Sequence, residues 1–495
     1  MSEPPTDPIS PMGTHFVRGA LLVGLANWAT YAINFGIAIA VARFLGPEAF
    51  GLYAFVFVIH EFISIVNGLC VAPALLQSRD ESEEIYDTGY ATSFAQGMLG
   101  LVIALGVAPL LGAFRSSDAS WFILILALTR ILNLLTDVVI AKMERHVRYG
   151  AVATIHLATR SLPNFLCLAL AAIGYGPWSL IIRDLVMALL PFAFSHAWSG
   201  YRFHGNVTRK AFQRIMAYSG PMFLPRTLDI LLQRFDRLVV GAWFGNTTMG
   251  LFQQARFLGD TGLLATTPVS QVTFNMYSRF QDEPARLARA YSIVNYFLTR
   301  ATFGGAAVLL IYPVEIIRLL LGEEWIAAAP ILRILGLYAG LAPLLQNLQI
   351  LLYARAAVFL NVRLRAVQFA VLLPGVALAV RTNDVAGVAL SLLVATFAGV
   401  LLAWHSSADV TSGAGRRLFG TPVAALVATV AGFAVLDAAG AASGLPYWSL
   451  PFLPAAVFFV LVLAMDRGQL VGEIRMLRTQ LRGAAEVRST PARGG

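Results

Sequence analysis

Long apolar runs, interrupted at short intervals by Gly, Pro or charge clusters, organise this chain from residue 20 to residue 465. They lie at 20–42, 50–76, 90–113, 119–141, 151–173 and 177–199, then at 214–243, 249–277, 290–312, 326–352, 357–380, 385–404, 419–440 and 448–465. Their lengths fall near the roughly 20 residues that an α-helix needs to cross a bilayer. Continuous apolarity over such lengths predicts helices rather than barrel strands, because a helix satisfies its own backbone in lipid. The pattern thus predicts an all-α polytopic membrane protein with about 14 transmembrane helices.

One phrase recurs along these runs. Leu45-Gly46-Pro47-Glu48-Ala49-Phe50-Gly51-Leu52-Tyr53 returns as Phe244-Gly245-Asn246-Thr247-Thr248-Met249-Gly250-Leu251-Phe252, 199 residues later. Each copy sits between two apolar runs. A hydrophobic-Gly-xxx-aromatic/Met-Gly-Leu-aromatic phrase at the same place in two halves predicts that the halves are copies of one helical lobe, as in many transporters. The spacings Gly241-xxx-Gly245 and Gly336-xxx-Gly340 predict close helix approach.

Composition agrees with a membrane reading. The chain is 58% hydrophobic and 13% charged, with a mean hydropathy of +0.70, against roughly 25% charged residues in soluble domains. No polar stretch is long enough for a soluble catalytic domain. Cys70 and Cys167 both fall in apolar runs, and the seven histidines show no ligand spacing, so neither a disulfide framework nor a metal site is predicted. Residues 1–19 carry Glu3, Asp7 and four prolines and lack the basic start and short apolar core of a cleaved signal. They read as a short tail.

Charge gives orientation. Twenty-three Lys and Arg fall in one set of alternate loops and in the tails, including Arg363 and Arg365, whereas the other set holds only Arg43, Arg115, Arg318 and Arg381. This asymmetry places both termini in the cytoplasm. The net charge of +9 is then explained by loops facing an anionic leaflet, not by nucleic acid.

Nine arginines remain inside the runs: Arg130, Arg160, Arg183, Arg226, Arg234, Arg237, Arg256, Arg300 and Arg333. An arginine at the bilayer centre costs about 2.5 to 3.5 kcal/mol even on the lenient insertion scale, so each requires a protein or aqueous partner. Arg226, Asp229, Gln233, Asp236 and Arg237 share one helix face, as do Arg130, Asn133 and Asp137, and His156, Arg160 and Asn164. Uncharged stripes join them at Asn27, Tyr31 and Asn34, and at His60, Ser64 and Asn67. Together they predict a shared wet interior. Each arginine also has a plainer reading. Arg237, Arg300 and Asp137 can lie near a membrane face, and Arg226 with Asp229, or Arg256 with Asp260, can be packing ion pairs. A cavity with surplus arginine fits an anionic ligand, above all phosphate, which guanidinium binds in bidentate fashion.

Three phrases resemble those of Wzx-type polysaccharide flippases of the MOP (multidrug/oligosaccharidyl-lipid/polysaccharide) exporter superfamily. They are Arg43 to Tyr53, closing with Ala74-Leu75-Leu76-Gln77; Phe235-Asp236-Arg237-Leu238-Val239-Val240-Gly241 running into Phe244-Gly245 and Gly250-Leu251-Phe252-Gln253-Gln254-Ala255; and Leu319-Leu320-Leu321-Gly322-Glu323-Glu324-Trp325. The chain departs from the pattern where the second turn lacks Pro-Glu and ends in Phe252 instead of Tyr.

The resemblance implies a V-shaped, MATE-like bundle of two six-helix lobes, at 20–213 and 214–405. Two accessory helices would follow at 406–466, with cytoplasmic tails at 1–19 and 467–495. It also implies a transporter and not an enzyme. The chain would move an undecaprenyl-diphosphate-linked oligosaccharide from the cytoplasmic to the periplasmic leaflet of a bacterial inner membrane, for exopolysaccharide, O-antigen or capsule synthesis. Partners would be membrane lipids, the polysaccharide polymerase and chain-length or export proteins. On this reading the diphosphate is bound from among Arg130, Arg160, Arg183, Arg226 and Arg234, with Arg256 also lining the cavity. Asn27, Tyr31, Asn34 and Asn67 would meet the sugars. Gly46, Pro47, Gly51, Gly245 and Gly250 would form outer-gate turns. Asp229, Asp236 and Asp260 are the candidates for proton or sodium coupling, with the membrane potential as the other energy source and no cofactor. Alternatives are a lipid II flippase or multidrug antiporter of the same superfamily, and more distantly a membrane polysaccharide polymerase or glycosyltransferase. The last would show a large outer loop or an Asp-x-Asp, and this sequence has neither.

Overall fold

The computed structural model describes residues 11–65, 67–78, 80, 82–145, 149–439 and 449–466, with side chains from residue 30 onward except at 149–154, 156–158, 160, 262–269, 271 and 358. All regular structure among them is helical. The chain divides into two compact units, Met1–Met222 and Phe223–Gly495. Among the described residues nine helices are long and apolar enough to cross a membrane, and two shorter apolar helices accompany them. The tail at 467–495 and residues 1–10 lie outside the described residues.

The first unit holds α1 (Pro11–Ile63), α2 (Val71–Gln77), α3 (Glu83–Phe114), α4 (Ser117–Arg145), α5 (Tyr149–Ile173) and α6 (Trp178–Ser199). Helix α1 begins inside the stretch read as a tail. It is broken at Gly46, whose φ of 71° and ψ of 170° lie where only glycine is comfortable. Pro47 follows as the first residue of the second segment, where its missing N–H costs nothing. The run expected at 50–76 is not one helix: α1 stops at Ile63 and α2 starts at Val71. Gly68, a poor helix former, lies between them, and Pro73 falls in the first turn of α2, where a proline is tolerated.

Helix α4 is the hub of this unit, packing against α3, α6 and α1. Its inner end joins a core of Val138, Val139 and Met143 with Leu75, Tyr86 and Ile215. The fully buried Asp87 carboxylate fastens the link after α6. It accepts hydrogen bonds from the Tyr201 hydroxyl at 2.8 Å and from the backbone N–H groups of His204 and Asn206 at 3.1 Å each. Burial and this carboxylate push the Tyr201 phenol well above its ordinary pKa.

Helix α7 (Arg209–Arg279) leads from the first unit into the second and is broken at Gly245, with φ 86° and ψ 176°. The remaining elements are α8 (Pro284–Ile311), α9 (Pro313–Leu320), a 3-10 turn (Glu323–Ala328), α10 (Ala329–Ala354), α11 (Val358–Arg381), α12 (Val385–Ser406), α13 (Ala408–Thr411), α14 (Gly415–Ala438) and α15 (Phe452–Met465). Helix α10 packs on both α8 and α12. Gly336 and Gly340 make the first of these approaches possible, since an added Cβ at Gly336 would sit 2.9 Å from the Leu309 Cβ. At Gly245, by contrast, an added Cβ would meet nothing within 4 Å. The expectation of close approach holds for the second glycine pair, and Gly245 is required for its backbone angle instead.

Helices α14 and α15 pack on α8. Arg300 of α8 is buried and donates through Nε to Asp466 Oδ2 at 2.6 Å, with its guanidinium 3.4 Å over the Tyr296 ring. Arg300 is thus held in a buried ion pair and does not extend to solvent. A buried carboxylate at the end of α15 supplies its counter-charge.

Candidate functional site

Helix α7 carries Asp229, Gln233, Arg234, Asp236 and Arg237 before its break, and Gln253, Arg256 and Asp260 after it. In an unbroken helix Arg237 and Asp260 would stand about 35 Å apart at 1.5 Å per residue. Instead Arg237 Nη2 lies 3.4 Å from Asp260 Oδ2. The turn at Gly245 reverses the chain and brings the two polar stretches side by side.

Gln233, Arg234, Arg237, Gln253, Arg256 and Asp260, with residues from α10, α11 and α12, line a cavity of about 570 Å³ within the second unit. Four arginines face it: Arg234, Arg237, Arg256 and Arg365. Arg256 is the most heavily engaged. Its Nε donates to Asp260 Oδ2 at 3.1 Å and its Nη2 to the Tyr338 hydroxyl at 2.9 Å, while the guanidinium lies 4.3 Å from the Tyr338 ring centroid. Asp236, fully buried, stands 3.6 Å from Arg256 Nη1. Arg365 pairs with Asp229. Each of these carboxylates thus offsets a guanidinium that would otherwise be uncompensated among apolar helices.

The expected candidates fall into several places. Arg234 and Arg256 line this cavity, whereas Arg226 is exposed and does not. Asp229 pairs with Arg365 and is also within reach of the Arg226 charge, and the Arg256–Asp260 pair forms as anticipated. Arg237 is buried in the network, not at a membrane face. Arg333 and Asp137 are exposed.

In the first unit Arg183 is committed to its neighbours. It holds Asp184 Oδ1 through Nε at 2.9 Å and Nη2 at 2.7 Å, and donates to the Tyr53 hydroxyl, which itself donates to Asp184 Oδ2 at 2.7 Å. That fork ties α1 to α6. Arg130 on α4 lies close enough to His60 for its charge to act on the imidazole. Asn34 accepts a 3.1 Å hydrogen bond from Asn164, joining two of the expected stripes. Asn67 is buried against Gly100, and Tyr31 is exposed. The side chains of Asn27, His156 and Arg160 lie outside the described residues. Gly46 and Gly245 form the breaks, whereas Gly51 and Gly250 are buried helical positions.

Sequence reasoning missed Arg365, counted with the loop cations, which α11 instead carries to the cavity. It also missed Tyr338, Gln346 and Gln349 on α10 and Gln368 on α11. A signal existed, since 338, 342, 346 and 349 recur at helical spacing on one face, but an amide in a long apolar run carries no charge to draw notice. Among the described residues no group of three His, Cys, Asp or Glu converges to hold a metal.

Comparison with known proteins adds the family. A family model described as polysaccharide biosynthesis protein matches residues 40–330. The succinoglycan biosynthesis transport protein ExoT of Rhizobium meliloti (strain 1021) is 24% identical over 328 residues, covering 64% of this chain and 65% of that protein. The chain thus matches just under two thirds of that relative's length. Among solved structures, the lipid II flippase MurJ in an inward closed conformation superposes with a TM-score of 0.70 over 91% of this chain and 100% of its own, at 12% identity. An inward-facing multidrug resistance MATE family transporter of the MOP superfamily gives 0.58 over 78% of this chain and 96% of its own, at 16% identity. The fold is that of these transporters.

Proposed function

This chain belongs to the polysaccharide biosynthesis protein family, and from that premise we propose that it is a transporter of lipid-linked oligosaccharide. It moves an undecaprenyl-diphosphate-linked repeat unit from the cytoplasmic to the periplasmic leaflet of the bacterial inner membrane, with both termini in the cytoplasm. The observation that carries this reading is the arginine-lined cavity of the second unit. Such a transporter must shelter a strongly polar, anionic head group from hydrocarbon while its polyprenyl tail stays in lipid. Guanidinium groups are suited to the diphosphate because they bind it in planar, bidentate fashion and remain charged. A relative that works as a succinoglycan transport protein and a fold shared with a lipid II flippase support the substrate class.

The network gives the arginines a second property. Arg237 and Arg256 share Asp260, so an entering phosphate replaces a carboxylate as their anionic partner and finds donors already held in place. A cationic drug meets surplus positive charge at the same position. This disfavours multidrug antiport.

The test uses full-length protein in proteoliposomes loaded with an undecaprenyl-diphosphate-linked oligosaccharide. Arg234→Glu and Arg256→Gln, with membrane insertion verified, should each slow transfer by tenfold or more, since a charge-assisted hydrogen bond contributes about 1.5 to 3 kcal/mol. Wild-type rates in both variants would refute the proposal. Running lipid II and a cationic dye beside the oligosaccharide separates the alternatives within the superfamily.

A further inference from the structure

We infer that the same cavity holds, beside Arg365, a second subsite that reads the first sugar of the glycan through the amides of Gln349 on α10 and Gln368 on α11. The inference rests on the reading of the cavity as a diphosphate site and adds to it the residues that recognise carbohydrate.

The lining is chemically graded along its length. Tyr338, beside Arg256 and Asp260, marks one end. Gln349 lies eleven residues along α10, which at 1.5 Å per residue places it about 16 Å away. Near that second end the Asn361 amide donates to the Gln349 carbonyl at 3.4 Å, so α11 runs beside α10 there and Arg365 and Gln368 follow within two turns. The Arg256–Asp260 pair therefore stands at one end of the cavity, and the Gln349 and Gln368 amides flank Arg365 toward the other. A head group that is part diphosphate and part sugar can lie along that length.

Only groups that both donate and accept suit a sugar hydroxyl. Guanidinium donates and cannot accept. Of the acceptors lining the cavity, Asp260 Oδ2 is engaged by Arg237 and Arg256, Asp260 Oδ1 meets no partner in the protein but a carboxylate cannot donate, and the Tyr338 oxygen accepts from Arg256. The glutamine amides offer a donor and an acceptor on one rigid plane, which fits a pair of adjacent hydroxyls.

One further observation shows that such an amide is provided for. Gln368 is more than nine-tenths buried and seated against Gly399 of α12, where an added Cβ would come within 2.7 Å of the Gln368 Nε2. Helix α12 thus gives up a side chain to leave room for this amide.

Binding by the purified full-length protein in detergent tests the assignment, with farnesyl diphosphate, farnesyl-diphospho-glucose and UDP-glucose as probes. Wild type should bind the farnesyl glucose conjugate about tenfold more tightly than farnesyl diphosphate, the gain expected from one or two added hydrogen bonds. Gln349→Met and Gln368→Met keep side-chain volume while removing donor and acceptor. They should bring the two farnesyl ligands within about threefold of each other and leave farnesyl diphosphate affinity unchanged. Equal wild-type affinity for both farnesyl ligands overturns the inference without need of any variant, and so does an undiminished preference in both variants. Absence of farnesyl diphosphate binding, or UDP-glucose binding as tight as the farnesyl conjugate, instead sinks the lipid-linked diphosphate reading beneath it.

Discussion

The two glycines that open the repeated phrase show how one backbone angle shapes a site. Gly46 and Gly245 differ by only 15° in φ and 6° in ψ, although their neighbours differ in chemistry. A side chain at such an angle costs about 1 to 3 kcal/mol. At Gly245 the space beside the Cα is open, so an alanine there would report the backbone cost alone. Gly245→Ala is expected to lower the unfolding midpoint in detergent. Gly305→Ala, also in open space but on a regular helix, is expected to hold or raise it, because alanine is the better helix former by up to about 1 kcal/mol. Equal midpoints for the two variants would refute the assigned role. The final aromatic of the phrase has a similar logic. In the first unit Tyr53 spends its hydroxyl on Asp184 and Arg183. In the second unit Phe252, at the same place in the phrase, is fully buried and carries no hydroxyl that would need such partners.

At the level of helices, the apolar runs foretold most boundaries because lipid imposes a length and penalises interruptions. Runs at 151–173, 177–199, 357–380 and 385–404 correspond to α5, α6, α11 and α12 within a few residues. The break between α1 and α2 escaped notice because the residues around it, Ile65, Leu69 and Cys70 among them, are apolar and leave the run unbroken. The candidate site was half readable. Charges at helical spacing marked the polar face of α7, but which face of α11 turns inward depends on its neighbours, and so Arg365 passed for a loop cation. Arg300 shows the same limit, since its partner Asp466 lies 166 residues away. That pair yields a prediction about the docking of α15. Asp466→Asn leaves a buried guanidinium uncompensated, at a cost of about 3 to 5 kcal/mol, and is expected to lower the unfolding midpoint sharply. Because α8, α14 and α15 supply none of the cavity lining, folded Asp466→Asn protein should keep wild-type affinity for farnesyl diphosphate. A midpoint equal to wild type would show that the pair does not hold α15 in place.

Taken across the whole chain, the distribution of charge bears on what drives transport. Asp229, Asp236 and Asp260 were the acids available for proton or sodium coupling, and each stands beside an arginine. Loading a proton or a sodium ion onto such a carboxylate disturbs an ion pair and leaves its guanidinium uncompensated among apolar helices. The membrane potential needs no such step. Moving one charge across 100 mV is worth about 2.3 kcal/mol, and a head group with two negative charges leaving a negative cytoplasm gains about 4.6 kcal/mol. That shifts the distribution between leaflets by more than about a thousandfold, if no compensating charge returns. Proteoliposomes holding the oligosaccharide donor, with a potassium diffusion potential set by valinomycin, make the alternatives separable. Outward transfer is expected to accelerate when the compartment it leaves is made negative, with pH equal on both sides and sodium absent, and to slow when the potential is reversed. Asp260→Asn is expected to retain that response. Transfer that ignores the potential but follows a pH or sodium gradient, and loses that dependence in Asp260→Asn, would assign the coupling to the carboxylates instead.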